Sequence, residues 1–113
     1  MSKHYSKESL EEIAAGDPEF MSVVAQTFLD EIPPDLSSME EAVANDNKEL
    51  AYQFAHKMKP NLEMFGVALQ KEISAVETWS KGSKSKEVIS DQLEKIVTTL
   101  KQVFKELQSD FEL

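Results

Sequence analysis

His56 is one of two histidines in this chain of 113 residues, and it stands in the stretch Ala55-His56-Lys57-Met58-Lys59-Pro60. A neutral imidazole is a good nucleophile near pH 7, because its unperturbed pKa of about 6.5 leaves the free base abundant there. If the stretch is helical, Lys59 lies beside His56 at a spacing of three residues, where an ammonium offsets the charge of incoming oxygens. Together these residue types suit attack on a phosphoryl group presented by another molecule. Such chemistry needs no pocket, only an accessible ring on a rigid support. The plainer reading of the same residues is a solvated surface histidine with lysine neighbours, and composition and periodicity alone leave both standing.

Other chemistries lack their residues. Cysteine is absent, which excludes disulfide scaffolds, thiolate zinc sites and cysteine nucleophiles, and suits a reducing cytoplasm. Metal sites in helical bundles use several inward carboxylates with Glu-x-x-His pairs on two helices. The residue three before His56 is Gln53, so neither a metal nor another cofactor is expected. Glycine-rich phosphate loops are missing, and no serine has a base and orienting group to activate it. Twenty-one acidic residues against twelve basic ones give a net charge of −9. That balance disfavours nucleic-acid binding, which depends on neutralising phosphates. No window reaches the apolar length of a membrane span, and the opening MSKHYSKESL lacks the apolar run of a signal peptide. The start at Met1 suggests a free-standing protein.

Apolar spacing assigns the elements that must hold His56. Ser9 to Ala15 has helical character, with Leu10, Ile13 and Ala14 on one side. Gly16-Asp17-Pro18 closes that helix and opens the next, with aspartate as N-cap and proline at the first helical position. Phe20, Val23, Val24, Thr27, Phe28 and Ile32 then recur at helical spacing. Pro33-Pro34 predicts a kink or short break, after which Leu36, Met39, Ala42 and Val43 resume the pattern. Asp46 with Glu49 resembles a capping box and starts a helix near Asn47. Its core stripe is Ala51, Phe54, Ala55, Met58, Leu62 and Phe65, up to a turn at Gly66. Glu49, Tyr52, Gln53, His56, Lys59, Pro60 and Glu63 collect on the opposite, solvent face.

Val67 to Trp79 reads as a further helix, with Leu69, Ile73 and Val76 inward. Lys81 to Ser85 is a polar loop. The last helix runs from about Lys86, with Val88 or Ile89, Leu93, Ile96, Val97, Leu100, Phe104 and Leu107 as its seam. The expected fold is all-α: a single domain over residues 1–113, an up-down antiparallel four-helix bundle with a short N-terminal capping helix. Residues 1–5 and 109–113 are read as frayed tails, with His4 lacking a partner. Trp79, Phe28, Phe54 and Phe65 are assigned to the core or its edge.

With these residues in place, the chain resembles a histidine-containing phosphotransfer domain of bacterial multistep phosphorelays. The family motif is histidine, any residue, an aliphatic and lysine, usually followed by glycine, with a further glycine shortly after. It stands here as His56-Lys57-Met58-Lys59-Pro60 followed by Asn61 to Gly66, and Gly16 to Phe20 looks like the opening of the family's second helix. The resemblance spans about Tyr5 to Leu107. It implies that His56 is phosphorylated, through Nε2, by an aspartyl phosphate on a receiver domain, and relays the group reversibly to another receiver. Lys59 would stabilise the phosphoryl group, with Lys57 a weaker electrostatic helper. Tyr52, Gln53, Lys57, Pro60, Glu63 and Met64 would form the docking surface. Pro60 replaces the usual glycine, either as part of that surface or as a tolerated kink. The glutamine or glutamate that holds Nδ1 in many members falls by offset on Thr78, while Glu77 lies about 100° around the helix. Implied partners are receiver domains of response regulators or hybrid histidine kinases, met by a cytoplasmic monomer without intrinsic catalytic machinery. The alternative is a helical adaptor of the same fold that binds receivers or kinases without being phosphorylated.

Overall fold

A computed structural model describes residues 4–113. Five α-helices account for most of them: α1 (Lys7–Ile13), α2 (Pro18–Ala44), α3 (Lys48–Met64), α4 (Gln70–Ser80) and α5 (Ser90–Asp110). A 3₁₀ turn at Lys86–Ile89 leads into α5, and there is no strand among the described residues. No described helix is long and apolar enough to cross a membrane.

Local chemistry sets the helix ends. Asp17 caps α2 by accepting from the backbone N–H groups of Glu19 and Phe20, with Pro18 in the first turn where its missing donor costs nothing. Asn47 caps α3 through Leu50 N–H, so the N-cap lies one residue beyond the Asp46 expected from sequence. Asp46 instead takes a left-handed conformation, φ 56°, and Asn47 N–H reaches back to the Ala42 carbonyl at 2.7 Å. One residue thus closes α2 while its neighbour opens α3. Gly66 closes α3 in the same manner, with φ 64° and a Val67 N–H to Leu62 carbonyl bond of 2.9 Å. A Cβ there would meet the Ser6 Cβ at 2.5 Å, so glycine also lets the N-terminal segment lie against the end of α3.

The Pro33-Pro34 pair does not break α2, which runs through it as one helix. The pair removes donors from the Leu29 and Asp30 carbonyls. Pro34 and Asp30 are exposed, and water can satisfy a carbonyl on that side.

Packing joins α2 to α3, α3 to α4, α4 to α5 and α5 back to α2, with α1 against α2. Phe28 lies at the centre of the core: its ring is 4.2 Å from that of Phe65 and meets Phe104 edge-on at 6.2 Å. Burying such a side chain contributes about 1.5–3 kcal/mol. Ala51, Ala55, Met58, Leu62 and Phe65 are buried as expected, while Phe54 is half-buried at the edge. The first turns of α2 differ from expectation. Met21 and Ala25 face inward, leaving Phe20 46% and Val23 58% exposed. In the last segment Ile89 is buried and Val88 is not.

The ends are also better anchored than the sequence suggests. Tyr5 is buried, and its hydroxyl donates to Asp110 Oδ2 in the last turn of α5. Burial together with that carboxylate pushes the Tyr5 phenol well above its usual range. His4 pairs its Nδ1 with Glu106 Oε2 and donates its backbone N–H to Oε1 at 2.7 Å. Both contacts replace the frayed segment expected at residues 4 and 5, because α5 carries carboxylates where the N-terminal segment returns. Residues 1–3, the rest of that expected tail, lie outside the described residues.

Candidate functional site

The apolar stripe that seats α3 in the core turns His56 outward, its side chain 64% exposed. Tyr52 precedes it by one turn on the same face, and Lys59 and Pro60 follow. Pro60 gives the His56 carbonyl no intrahelical donor, yet α3 continues to Met64. The proline sits on the wet face, where the loss is cheapest.

The neighbouring helix supplies the ring's partner. In α4, Ile73, Val76 and Glu77 share the buried side. Glu77 Oε2 pairs with His56 Nδ1 at 3.1 Å, and Oε1 accepts from Lys59 Nζ at 2.9 Å. Burial alone raises the Glu77 carboxyl, but the hydrogen bonds and charges of Lys59 and His56 outweigh it and hold the group below the usual carboxylate range. The hydrogen bond and charge of Glu77 in turn raise the Lys59 ammonium. An ionised carboxylate only accepts hydrogen bonds. Glu77 therefore selects the tautomer with its proton on Nδ1 and leaves the lone pair of the exposed ring on Nε2.

This corrects the expected orienting residue. Thr78 is exposed and faces a separate groove with Ala75, Trp79, Gly82 and Val88. α4 begins at Gln70, not Val67, and its inward side is fixed by Ile73 and Val76, which brings residue 77 toward α3. A signal was present in the sequence: Glu77 lies four residues after Ile73 and next to Val76, on an apolar stripe where a carboxylate requires partners.

Lys57 reaches toward α2, where its Nζ is 3.1 Å from Oδ1 of the buried Asp35. The sequence reading missed this pair too. Asp35 falls three residues after Ile32 and four before Met39, again a charge on a core stripe. Of the expected docking residues, Gln53, Pro60 and Glu63 are exposed around His56 and Tyr52 is half-exposed. Met64 is half-buried and packs on the core.

Aromatic and basic groups extend the site beyond the motif. The Tyr52 ring stacks on the His56 imidazole, with centroids 5.5 Å apart and planes 11° from parallel. Lys81, the C-cap of α4, places its Nζ 5.2 Å from the Tyr52 ring centre. Lys48 lies 4.9 Å over the Trp79 ring and donates to the Gly82 and Lys84 carbonyls, tying the loop after α4 to the start of α3. The arrangement is an open face carrying one exposed imidazole, two ion-paired lysines and the two buried carboxylates that hold them. No protein-family model, curated protein or solved structure matches this chain.

Proposed function

We propose that this chain is a histidine phosphotransfer protein of two-component phosphorelays, folded as an up-down antiparallel four-helix bundle capped by α1. The ring of pairwise packed helices and their short connections supports that architecture. The observation that carries the functional reading is the pairing of His56 Nδ1 with Glu77 on an exposed ring, which leaves Nε2 outward.

In the forward step the Nε2 lone pair attacks the phosphorus of an aspartyl phosphate on a receiver domain. The N–P bond forms as the acyl phosphate P–O bond breaks, and the aspartate carboxylate leaves with the electron pair. Nδ1 keeps its proton, so the positive charge growing on the ring meets the Glu77 carboxylate. Lys59, held on the same face by Glu77, offsets charge on the phosphoryl oxygens. In the reverse sense, the aspartate of a second receiver attacks phosphorus and His56 departs as the neutral ring. Most of the rate enhancement would come from the receiver, whose acidic site would hold a metal ion able to offset charge on the phosphoryl group. The partners are receiver domains of response regulators or hybrid kinases, met in the cytoplasm by a monomer.

Incubation with a panel of phosphorylated receiver domains, followed by mass analysis under alkaline conditions, tests this reading. One acid-labile phosphoryl group on His56 is expected. Tight binding to active receivers without transfer would instead identify a non-phosphorylated adaptor.

A further inference from the structure

Two pairs of residues face each other across the α3–α4 boundary. On α3, Tyr52 and His56 are four residues apart and therefore stacked one turn above the other. Glu77 and Lys81 stand at the same spacing at the end of α4. Glu77 holds the imidazole edge at Nδ1, and Lys81 lies against the ring of Tyr52. We infer that Tyr52 is a positioning residue for phosphoryl transfer: clamped by Lys81, its ring fixes the plane of the His56 imidazole and thereby the direction of the Nε2 lone pair.

The physical case starts from what Glu77 leaves undone. A single hydrogen bond to Nδ1 fixes the tautomer but tolerates rotation of the ring about the line joining it to the carboxylate. An exposed side chain has no packing to stop that rotation. A near-parallel aromatic neighbour does stop it, because tilting the imidazole loses the stacked contact. The Tyr52 ring is itself restrained by the ammonium of Lys81, which favours the face of an aromatic ring. Two independent restraints, one on the edge and one on the face, then define the orientation of Nε2. In-line attack depends on such alignment. The stack has a second consequence. Phosphorylation at Nε2 gives the Nδ1-protonated ring cationic character, and a cationic ring stacks favourably on the electron-rich tyrosine. The clamp also lies along a groove lined by Lys48, Glu49, Gln53, Ser80 and Lys81, on the edge of the surface that a receiver would approach.

Tyr52 has this role only if His56 is the phosphoryl acceptor proposed above. Wild-type protein, Tyr52→Phe, Tyr52→Ala and Lys81→Ala would be mixed with increasing concentrations of one phosphorylated receiver domain, and single-turnover transfer followed. Circular dichroism would first verify that each variant keeps its helices. Tyr52→Ala is expected to lower the maximal transfer rate by about fivefold, the rate equivalent of one lost aromatic contact, with the half-saturating receiver concentration unchanged. Tyr52→Phe keeps the ring and should keep the rate, and Lys81→Ala should fall between. A Tyr52→Ala effect confined to the half-saturating concentration would make Tyr52 a docking contact and overturn the inference. So would a maximal rate equal to that of an active wild type. A wild-type protein that takes no phosphoryl group from any receiver would bring down the phosphotransfer reading itself, and the role of Tyr52 with it.

Discussion

Each histidine of this molecule pairs its Nδ1 with a glutamate on a helix distant in sequence, yet the two pairs sit in different surroundings. His4 meets Glu106 of α5, and His56 meets Glu77 of α4. Both side chains are substantially exposed. The differences lie around the pair. His4 precedes the first helix, and Glu106 also accepts its backbone N–H, so that contact anchors a chain end. His56 is fixed in the middle of a 17-residue helix. Its glutamate is shared with Lys59, and its ring is stacked on Tyr52. A histidine–carboxylate pair fixes a tautomer wherever it occurs. What sets His56 apart is its place in the middle of a helix, a glutamate shared with Lys59 and a stacked aromatic neighbour.

Substituting the two histidines in turn breaks the comparison most sharply. His56→Gln should abolish phosphoryl acceptance while the helical circular dichroism signal persists, because the side chain is outside the core. His4→Gln should accept phosphate like the wild type, and its cost should appear only as a lower melting temperature. Loss of helical signal in His56→Gln would contradict the exposed placement of that residue.

The glutamates give the next largest contrast. Glu77→Ala should slow transfer by roughly 10- to 100-fold, by analogy with the loss of carboxylates that orient metal-ligating imidazoles. Glu106→Ala should leave transfer unchanged in the same assay. Equal effects from the two would show that a distant carboxylate matters as much as the orienting one. Lys59→Ala should have a smaller effect, about fivefold on transfer rate or phosphohistidine lifetime, as fits one partly exposed charge-assisted contact. Unchanged kinetics would remove Lys59 from the mechanism.

The smallest effect concerns pH. The Glu77 carboxyl is held below its ordinary value in the fold. Its contribution to stability is therefore complete above the unfolded glutamate pKa of about 4.3, and is lost as pH falls through the lower folded value. Lys59 has the opposite sign: its raised folded value makes its contribution complete below the unfolded lysine pKa of about 10.4, lost as pH rises through the folded one. The urea midpoint should fall on acidification below about pH 4, and Glu77→Gln should flatten part of that fall. An identical acid profile in Glu77→Gln would show that other carboxylates carry it.

Much of this was legible in the sequence where one constraint dominated. The stripe from Ala51 to Phe65 determines that His56 points outward, since a core of that width admits no other rotation of α3. Asp17-Pro18 marks the start of α2 because capping is local. The misses occurred where two helices had to be known together. Phe20 and Met21 offer alternative inward edges for the start of α2, both compatible with Phe28 and Ile32, and packing selects Met21. Thr78 and Glu77 pose the same choice on α4, settled by the packing of Ile73 and Val76, whose buried side Glu77 shares. Asp35 and Glu77 are charges on apolar stripes, and their cations, Lys57 and Lys59, come from another helix. Spacing within one segment cannot reveal such partners, although a charge among core positions announces that one must exist.

The most direct test of the central claim is a long-range proton–nitrogen spectrum of the histidine rings, recorded after incubation with a phosphorylated receiver domain. The pairing of Nδ1 with Glu77 predicts phosphorus on Nε2 of His56, a proton retained on Nδ1, and an unmodified His4. Phosphorus on Nδ1, on His4, or on neither ring would contradict it.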